Sequence, residues 1–488
     1  MRRRASIGFT AGLCAAALLC AVTSAHATEV NGYASSRTSF TRAKVTGLIP
    51  TEDLPQWTEL VELNAQLKVP YGKASFVYAD LSVILQGGID AHTLDEQGHE
   101  VSVNSRDFKI TQPTISLNEL YLLHEYKPSI NILLGKKRLN WGSGFSHNPT
   151  DLLNVRKDPT DPTFQRAGAW LARIEVPLEK YTITAIFAPA VLKQVAGLPY
   201  QYVLWPDWDK QDNQAHYQTV LRLYALIADA DVNVMLFFGN RYNDAFESKF
   251  RFGASFSRYY FTDYEVHFEA LMNSGSTRDY VDPTCVSSAL AALGCAQEQR
   301  SPLEKRFLNS SDIYTKLLVG MRRQFSDESM VSLEYLFQQD GYTGPQYQEL
   351  IRGLDLLRQG RREGLPINRI PGAAAFLGGA SSDGNPARFS FEPLRRHYLF
   401  ATYQKPRIKD DFTAQLVVIA NLEDLSSLWT PSVQWSTTEW LTLSVLGFFP
   451  VPGLQAWSAT TSQPNEFITE YSNVPFRFRA MFEARIFY

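Results

Sequence analysis

Glu265, His267 and Glu269 stand at alternate positions and carry the side chains best suited to chemistry. On a β-strand that spacing places all three on one face, where two carboxylates and an imidazole could ligate a metal. The same side chains also suit any wetted wall, and that simpler reading is adopted, with no metal site. No G-x-S-x-G, Walker, C-x-x-C or H-E-x-x-H pattern stands where such chemistry needs one. A Ser-His hydrolase assembled across strands is left open, and nothing points to one. The chain therefore reads as a non-enzyme with no catalytic residue and no cofactor.

A second ionisable set lies in the last fifteen residues, VPFRFRAMFEARIFY, from Val474 to Tyr488. Phe476, Phe478, Ala480, Phe482, Ala484, Ile486 and Tyr488 form one face; Arg477, Arg479, Met481, Glu483, Arg485 and Phe487 form the other. A period of two is a β-strand. In a soluble sandwich the apolar face would meet a core, and the chain would rarely stop on it. A membrane-spanning strand accounts for both features, with apolar residues toward lipid and arginines toward a wet interior.

Arg173, Arg222, Arg251 and Lys316 have the same polar-face phase on other segments, as do Glu62, Glu175, Glu265, Glu269 and Glu334. An Arg or Lys facing lipid at mid-depth would cost roughly 2–4 kcal/mol, so these residues are expected to line a lumen. A ladder of Arg477, Arg479 and Arg485 would favour anions. A solvated wall with balanced charge is the simpler expectation, because both signs are well represented.

The elements that must position these residues begin after residue 27. Arg2, Arg3 and Arg4, an apolar run from Ile7 to Val22, and Ala25-His26-Ala27 form a secretory signal peptide. Neither Cys14 nor Cys20 has the small preceding residue of a lipoprotein signal. Cleavage before Thr28 removes only three arginines, taking the formal net charge from −3 to −6. That balance gives no ground for a nucleic-acid partner. No later stretch approaches the roughly 20 apolar residues of a spanning helix. Only helices and closed barrels satisfy their backbone in lipid, and 23 Tyr with 30 Phe would supply a barrel's aromatic girdles.

Residues 28–488 then divide into alternating segments. Eighteen are counted, from Val30–Arg42 and Trp57–Val69 to the closing strand, or sixteen if the faint first one is not a strand. Spacers after even-numbered strands are a few residues long. Those after odd-numbered strands are usually long: 87–111, 141–166, 190–214, 273–311, 339–395 and 450–473. The fold class expected is an all-β, transmembrane, antiparallel up-and-down barrel with long extracellular loops and short periplasmic turns. Within 339–395, Tyr347, Leu350, Ile351, Leu354 and Leu357 recur at helical spacing after Pro345, and Gly360 can end the turn. The short helix so predicted either packs over or into the barrel mouth or simply caps exposed loop residues. Cys285 and Cys295, the two cysteines of the mature chain, lie in one loop and are expected to form a local disulfide.

The stretch from Gly135, GKKRLNWGSGFSHNPTDLLN, is the most specific internal signal. Its glycines let the backbone leave the wall sharply, and Asn148-Pro149-Thr150-Asp151 is turn chemistry. Gly135, Lys136, Arg138, Trp141, Gly142, Asn148, Pro149, Asp151 and Leu152 resemble a motif of proteobacterial porin-like outer-membrane barrels. Tyr488 likewise resembles the terminal aromatic by which such barrels are recognised for insertion. The resemblance implies a pore or transport role in the bacterial outer membrane and names no substrate. Arg138, Trp141, Asn148 and Asp151 are the candidates for an inward, constricting segment; a surface loop with a girdle tryptophan is the alternative. Implied partners are outer-membrane lipid and lipopolysaccharide, the barrel-insertion machinery and small solutes. Passive diffusion of small hydrophilic solutes is expected, since barrels of roughly 16–18 strands leave an aqueous channel. The rival is a non-channel assembly or partner protein whose lumen is plugged by 339–395.

Overall fold

A computed structural model describes residues 28–43, 56–89, 93–94, 100–101, 109–110, 113–127, 129–139, 141–154, 168–189, 217–239, 249–276, 278, 280–285, 303–304, 311–362, 393–453, 469–474 and 476–488. The predicted signal peptide lies outside them.

Eighteen strands build the wall. They are β1 Glu29–Ala43, β2 Trp57–Pro70, β3 Phe76–Ile89, β4 Thr114–Lys127, β5 Ile130–Lys137 and β6 Ala169–Pro177. Then come β7 Tyr181–Pro189, β8 Tyr217–Ile227, β9 Ala230–Gly239, β10 Lys249–Tyr260, β11 Tyr264–Ser274 and β12 Ile313–Gln324. The last are β13 Met330–Gln338, β14 His397–Ile408, β15 Phe412–Asn421, β16 Ser427–Thr438, β17 Leu441–Val451 and β18 Phe476–Phe487. Each pairs antiparallel with its neighbours in chain order. β18 returns to pair with β1, so the faint first strand is a full member and the sheet closes without an edge. A two-residue strand, Lys109–Ile110, only extends β3.

One rim carries short turns, such as 71–75, 178–180 and 261–263. The turn between β8 and β9 has Ala228 and Asp229 at φ 50° and 60°, the pair of positive values a two-residue hairpin with right-handed twist demands. The opposite rim carries the long connections, with 422–426 between β15 and β16 a brief exception.

Alternation decides which way each side chain points. Leu63, Leu81 and Val83 are 52, 43 and 39 % exposed, while Glu62, Asn64, Asp80 and Ser82 between them are buried. The outer face is an apolar belt, the surface a spanning barrel presents to hydrocarbon. Among the described residues no helix is long and apolar enough to cross a membrane.

Two departures from the sequence reading matter. First, Phe476 is buried inside rather than facing outward, and Arg477 is exposed. The β1–β18 register shifts between Arg42 and Ala43, which pair with Phe478 and Phe476. Two residues opposite one invert the alternation, so Arg477 drops out of the inner row. Second, much of the inner wall is apolar. Leu133, Leu171, Ile186, Val220, Phe237 and Leu271 are buried on it, because chain folded into the lumen covers them.

The predicted helix, α1, spans Gly344–Arg362 with Pro345 in its first turn. Its Tyr347 and Leu350 are buried, and Tyr347 accepts a hydrogen bond from Asn473 Nδ2 at 3.0 Å. The helix therefore packs at the mouth. Residues 363–392 of its loop lie outside the described residues. Cys285 is buried and disulfide-bonded; its expected partner Cys295 is outside the described residues.

Candidate functional site: chain folded into the lumen

β5 ends at Lys137, and the chain turns inward. Arg138 N donates to Glu119 Oε1 at 2.7 Å, and Arg138 Nη2 reaches Asp80 Oδ2 at 3.3 Å and Glu119 Oε2 at 3.4 Å. Leu139 and Asn154 close the neck of the segment: Leu139 N donates to Asn154 Oδ1 at 3.0 Å and Asn154 Nδ2 to Leu139 O at 2.5 Å. Asp151 in turn accepts Asn154 Nδ2 at 2.6 Å. Ends brought together in this way make a compact loop.

Two inner-wall carboxylates hold that loop. Glu269 of β11 accepts from Gly144 N at 2.7 Å, Asn148 Nδ2 at 3.1 Å, Thr150 N at 3.3 Å and Thr150 Oγ1 at 2.8 Å. Glu334 of β13 accepts from Phe145 N at 2.5 Å and Ser146 N at 2.7 Å. His267 Nε2 lies 2.8 Å from the same Glu334. Buried carboxylates normally need this much donation to offset desolvation. Two glycines make the approach geometrically feasible. Gly142 has φ +87°, and a Cβ there would strike Asn148 and Glu269. A Cβ on Gly320 of β12 would strike His267 and Glu334.

The loop's other side is apolar. Leu139, Trp141 and Leu153 join the inner-wall cluster of Leu133, Leu171 and Phe237. Trp141 is 5 % exposed, inside the barrel rather than in a girdle, with the Arg222 guanidinium 5.7 Å from its ring. Across the lumen His147 stacks on Phe400 of β14 at 6.3 Å. The segment thus touches β8, β11, β13 and β14 from inside the barrel.

The other sequence-predicted residues are distributed as follows. Glu265 pairs with Arg322, so Glu265, His267 and Glu269 each serve a different partner. Arg173 lies 3.6 Å from Glu175, and Arg222 donates to Asn233 Oδ1 at 2.8 and 2.6 Å. Arg251 is buried on the inner face, and Lys316 lies 3.5 Å from Asp340 near the mouth. Glu62 is buried on the inner face of β2. Arg479 Nη2 donates to Ser39 Oγ at 3.4 Å. Arg485 pairs with Glu483 at 2.7 Å, and Arg37 of β1 reaches the same Glu483 at 3.1 Å. The three-arginine ladder is thus not formed: the bulge removes Arg477, and Glu483 offsets Arg485.

A second segment, 469–474, also turns inward. Tyr471 and Val474 pack with Tyr398, Phe400, Val417, Ile419 and Phe448 of the inner wall. Glu470 is its polar anchor. It accepts Tyr398 Oη at 2.6 Å, Asn421 Nδ2 at 2.6 Å and Leu394 N at 3.1 Å, while its own N donates to Asp424 Oδ2 at 2.7 Å. Burial, and then the charge of Asp424, push the Glu470 carboxyl up to about 7 despite those donors. A Glu amid loop residues before a closing strand carries no periodicity, so no sequence signal marked it.

A scan against protein-family models finds no match, and neither does a search of curated proteins. Similar solved structures include the outer membrane protein opdK from Pseudomonas aeruginosa, at 8 % identity and TM-score 0.46, over 94 % of this chain and 99 % of that one. OccAB3 of Acinetobacter baumannii is similar at 8 % identity and TM-score 0.44, over 94 % and 99 %. Salmonella typhi OmpF, in a complex with daunomycin, is similar at 9 % identity and TM-score 0.40, over 94 % and 97 %.

Proposed function

We propose that the protein is a bacterial outer-membrane channel for small hydrophilic solutes, narrowed by residues 141–154. The observation carrying this reading is the double anchorage of that segment on Glu269 and Glu334 inside a closed eighteen-strand wall. On this reading the short turns face the periplasm, the long loops face outward, and residues 1–27 direct export. Solutes cross by diffusion, and the inward segment limits their size. Charge is largely balanced on the wall, with Arg37, Glu483 and Arg485 in one group and Asp80, Arg138 and Glu119 in another. Weak ion selection follows, since rings of unpaired charge are what impose strong selection. One observation favours a second reading, a plugged non-channel barrel: α1 lies at the mouth with Tyr347 and Leu350 buried.

Single-channel recording in a planar bilayer separates the two. The channel reading expects discrete, small conductance steps in potassium chloride with a reversal potential near zero under a salt gradient. A correctly inserted barrel without steps would support the plug.

A further inference from the structure

Below the apolar cluster that receives Tyr471 and Val474, the inner wall of β14 to β18 is hollowed by a recess of about 250 Å³. Strand register arranges the inward-facing part of its lining in two adjacent rungs, with the paired Val433 and Val445 between them. In one, Thr413 pairs with Gln434, Gln434 with Ser444, and Ser444 with Glu483. In the other, Gln404 pairs with Gln415, Gln415 with Ser432, Ser432 with Leu446, and Leu446 with Met481.

Most charged groups elsewhere on this wall are paired. The six amides and hydroxyls of the two rungs differ: none hydrogen-bonds another described residue, and all remain at least partly open to the lumen. Neighbouring strands lie about 4.8 Å apart, so the rungs form a grid of donors and acceptors. Each side-chain amide both donates and accepts, as does each hydroxyl. The one carboxylate at the edge, Glu483, is already engaged by Arg37 and Arg485. Leu446 and Met481, 7 and 6 % exposed, give the upper rung an apolar end.

We propose that this recess binds uncharged, hydroxyl-rich solutes, sugars and polyols, on their way through the lumen. Such molecules offer donors and acceptors in equal measure along a ring, with an apolar C–H face that Leu446 and Met481 can meet. An anion would find no free cation here, and an ammonium no free carboxylate. Each protein–water bond exchanged for a protein–sugar bond gains little, so binding is weak. A transit site requires that weakness, because a solute must leave as readily as it enters. The proposal rests on the channel reading only for how the solute arrives.

Saturation-transfer NMR on the detergent-solubilised full barrel tests it, with glucose as probe and glucuronate as its anionic counterpart. The parent should give a glucose signal in the millimolar range, stronger than that of glucuronate. The Gln415→Leu/Gln434→Leu variant should lose affinity at least about five-fold. If that pair fails to insert, Gln404→Ala/Ser444→Ala removes one donor-acceptor group from each rung with smaller side chains and should weaken glucose similarly. An undiminished signal in a folded variant, no signal in the parent, or a stronger signal from glucuronate would overturn the assignment. Conductance separates the two claims. A barrel that binds glucose and passes no current refutes the channel and leaves the site standing; one that conducts and ignores glucose does the reverse.

Discussion

Replacing Glu269 and Glu334 together by alanine is expected to raise single-channel conductance several-fold and to make residues 141–154 sensitive to protease. Four hydrogen bonds from the segment end on Glu269 and two on Glu334. Each bond to a charged acceptor is worth about 1.5–3 kcal/mol. Losing all six exceeds what Trp141 and Leu153 alone can hold against the entropy of a freed loop. The wall should survive, since its pairing does not depend on these side chains. Heat-modifiable gel migration checks insertion, and bilayer recording reads the result. The double glutamine variant should fall between parent and alanine, because an amide still accepts from the same N–H groups without the charge. Equal conductance in all three proteins would mean that the segment does not set the size of the passage.

A second effect concerns pH at the mouth. The Glu470 carboxyl is raised from 4.5 to about 7 when the 469–474 segment is docked. The docked state keeps its proton where the undocked one has lost it. Its stabilisation is therefore complete below about 4.5 and is lost as pH rises through about 7, by ~3 kcal/mol at most. The groups facing Glu470 are Asp424, Arg395, Tyr398 and Tyr471. Arg395 also pairs with Glu423 at 2.5 Å. Hydrogen exchange at residues 469–474 should accelerate markedly between pH 5.5 and 8.5, beyond the intrinsic rate change. Glu470→Gln should abolish the difference. Exchange that tracks the intrinsic rate in both proteins would remove Glu470 as the controlling group.

How much of this was legible in the sequence depended on what each element faces. The barrel was legible because Leu63, Leu81 and Val83 alternate with Glu62, Asp80 and Ser82, and lipid and water enforce that period along whole strands. Segments such as Val232–Phe238, VNVMLFF, carried a warning in their lost alternation. Alternation is lost where both faces are apolar: Leu236 and Phe238 face outward, and Met235 and Phe237 meet Leu139, Trp141 and Leu153 inside. Glu265 and Glu269 could be placed on one face, but not their partners, since Glu334 lies two strands away and the amides it binds belong to a loop. The bulge at Arg477 was invisible because the alternating letters continue through it. Loop residues such as Glu470 follow no period, and only the three-dimensional fold brings them to Tyr398 and Asn421.

The central claim is that residues 141–154 occupy the conducting cross-section, and a cysteine at Ser143 tests it most directly. Ser143 is half-buried, and its Oγ donates to Phe268 O at 3.3 Å, so a thiol fits with little disturbance. A small charged thiol reagent added during recording should react and cut the current in discrete steps, and a reducing agent should restore it. Complete labelling, verified by mass, with an unchanged current would place the segment outside the path and contradict the account.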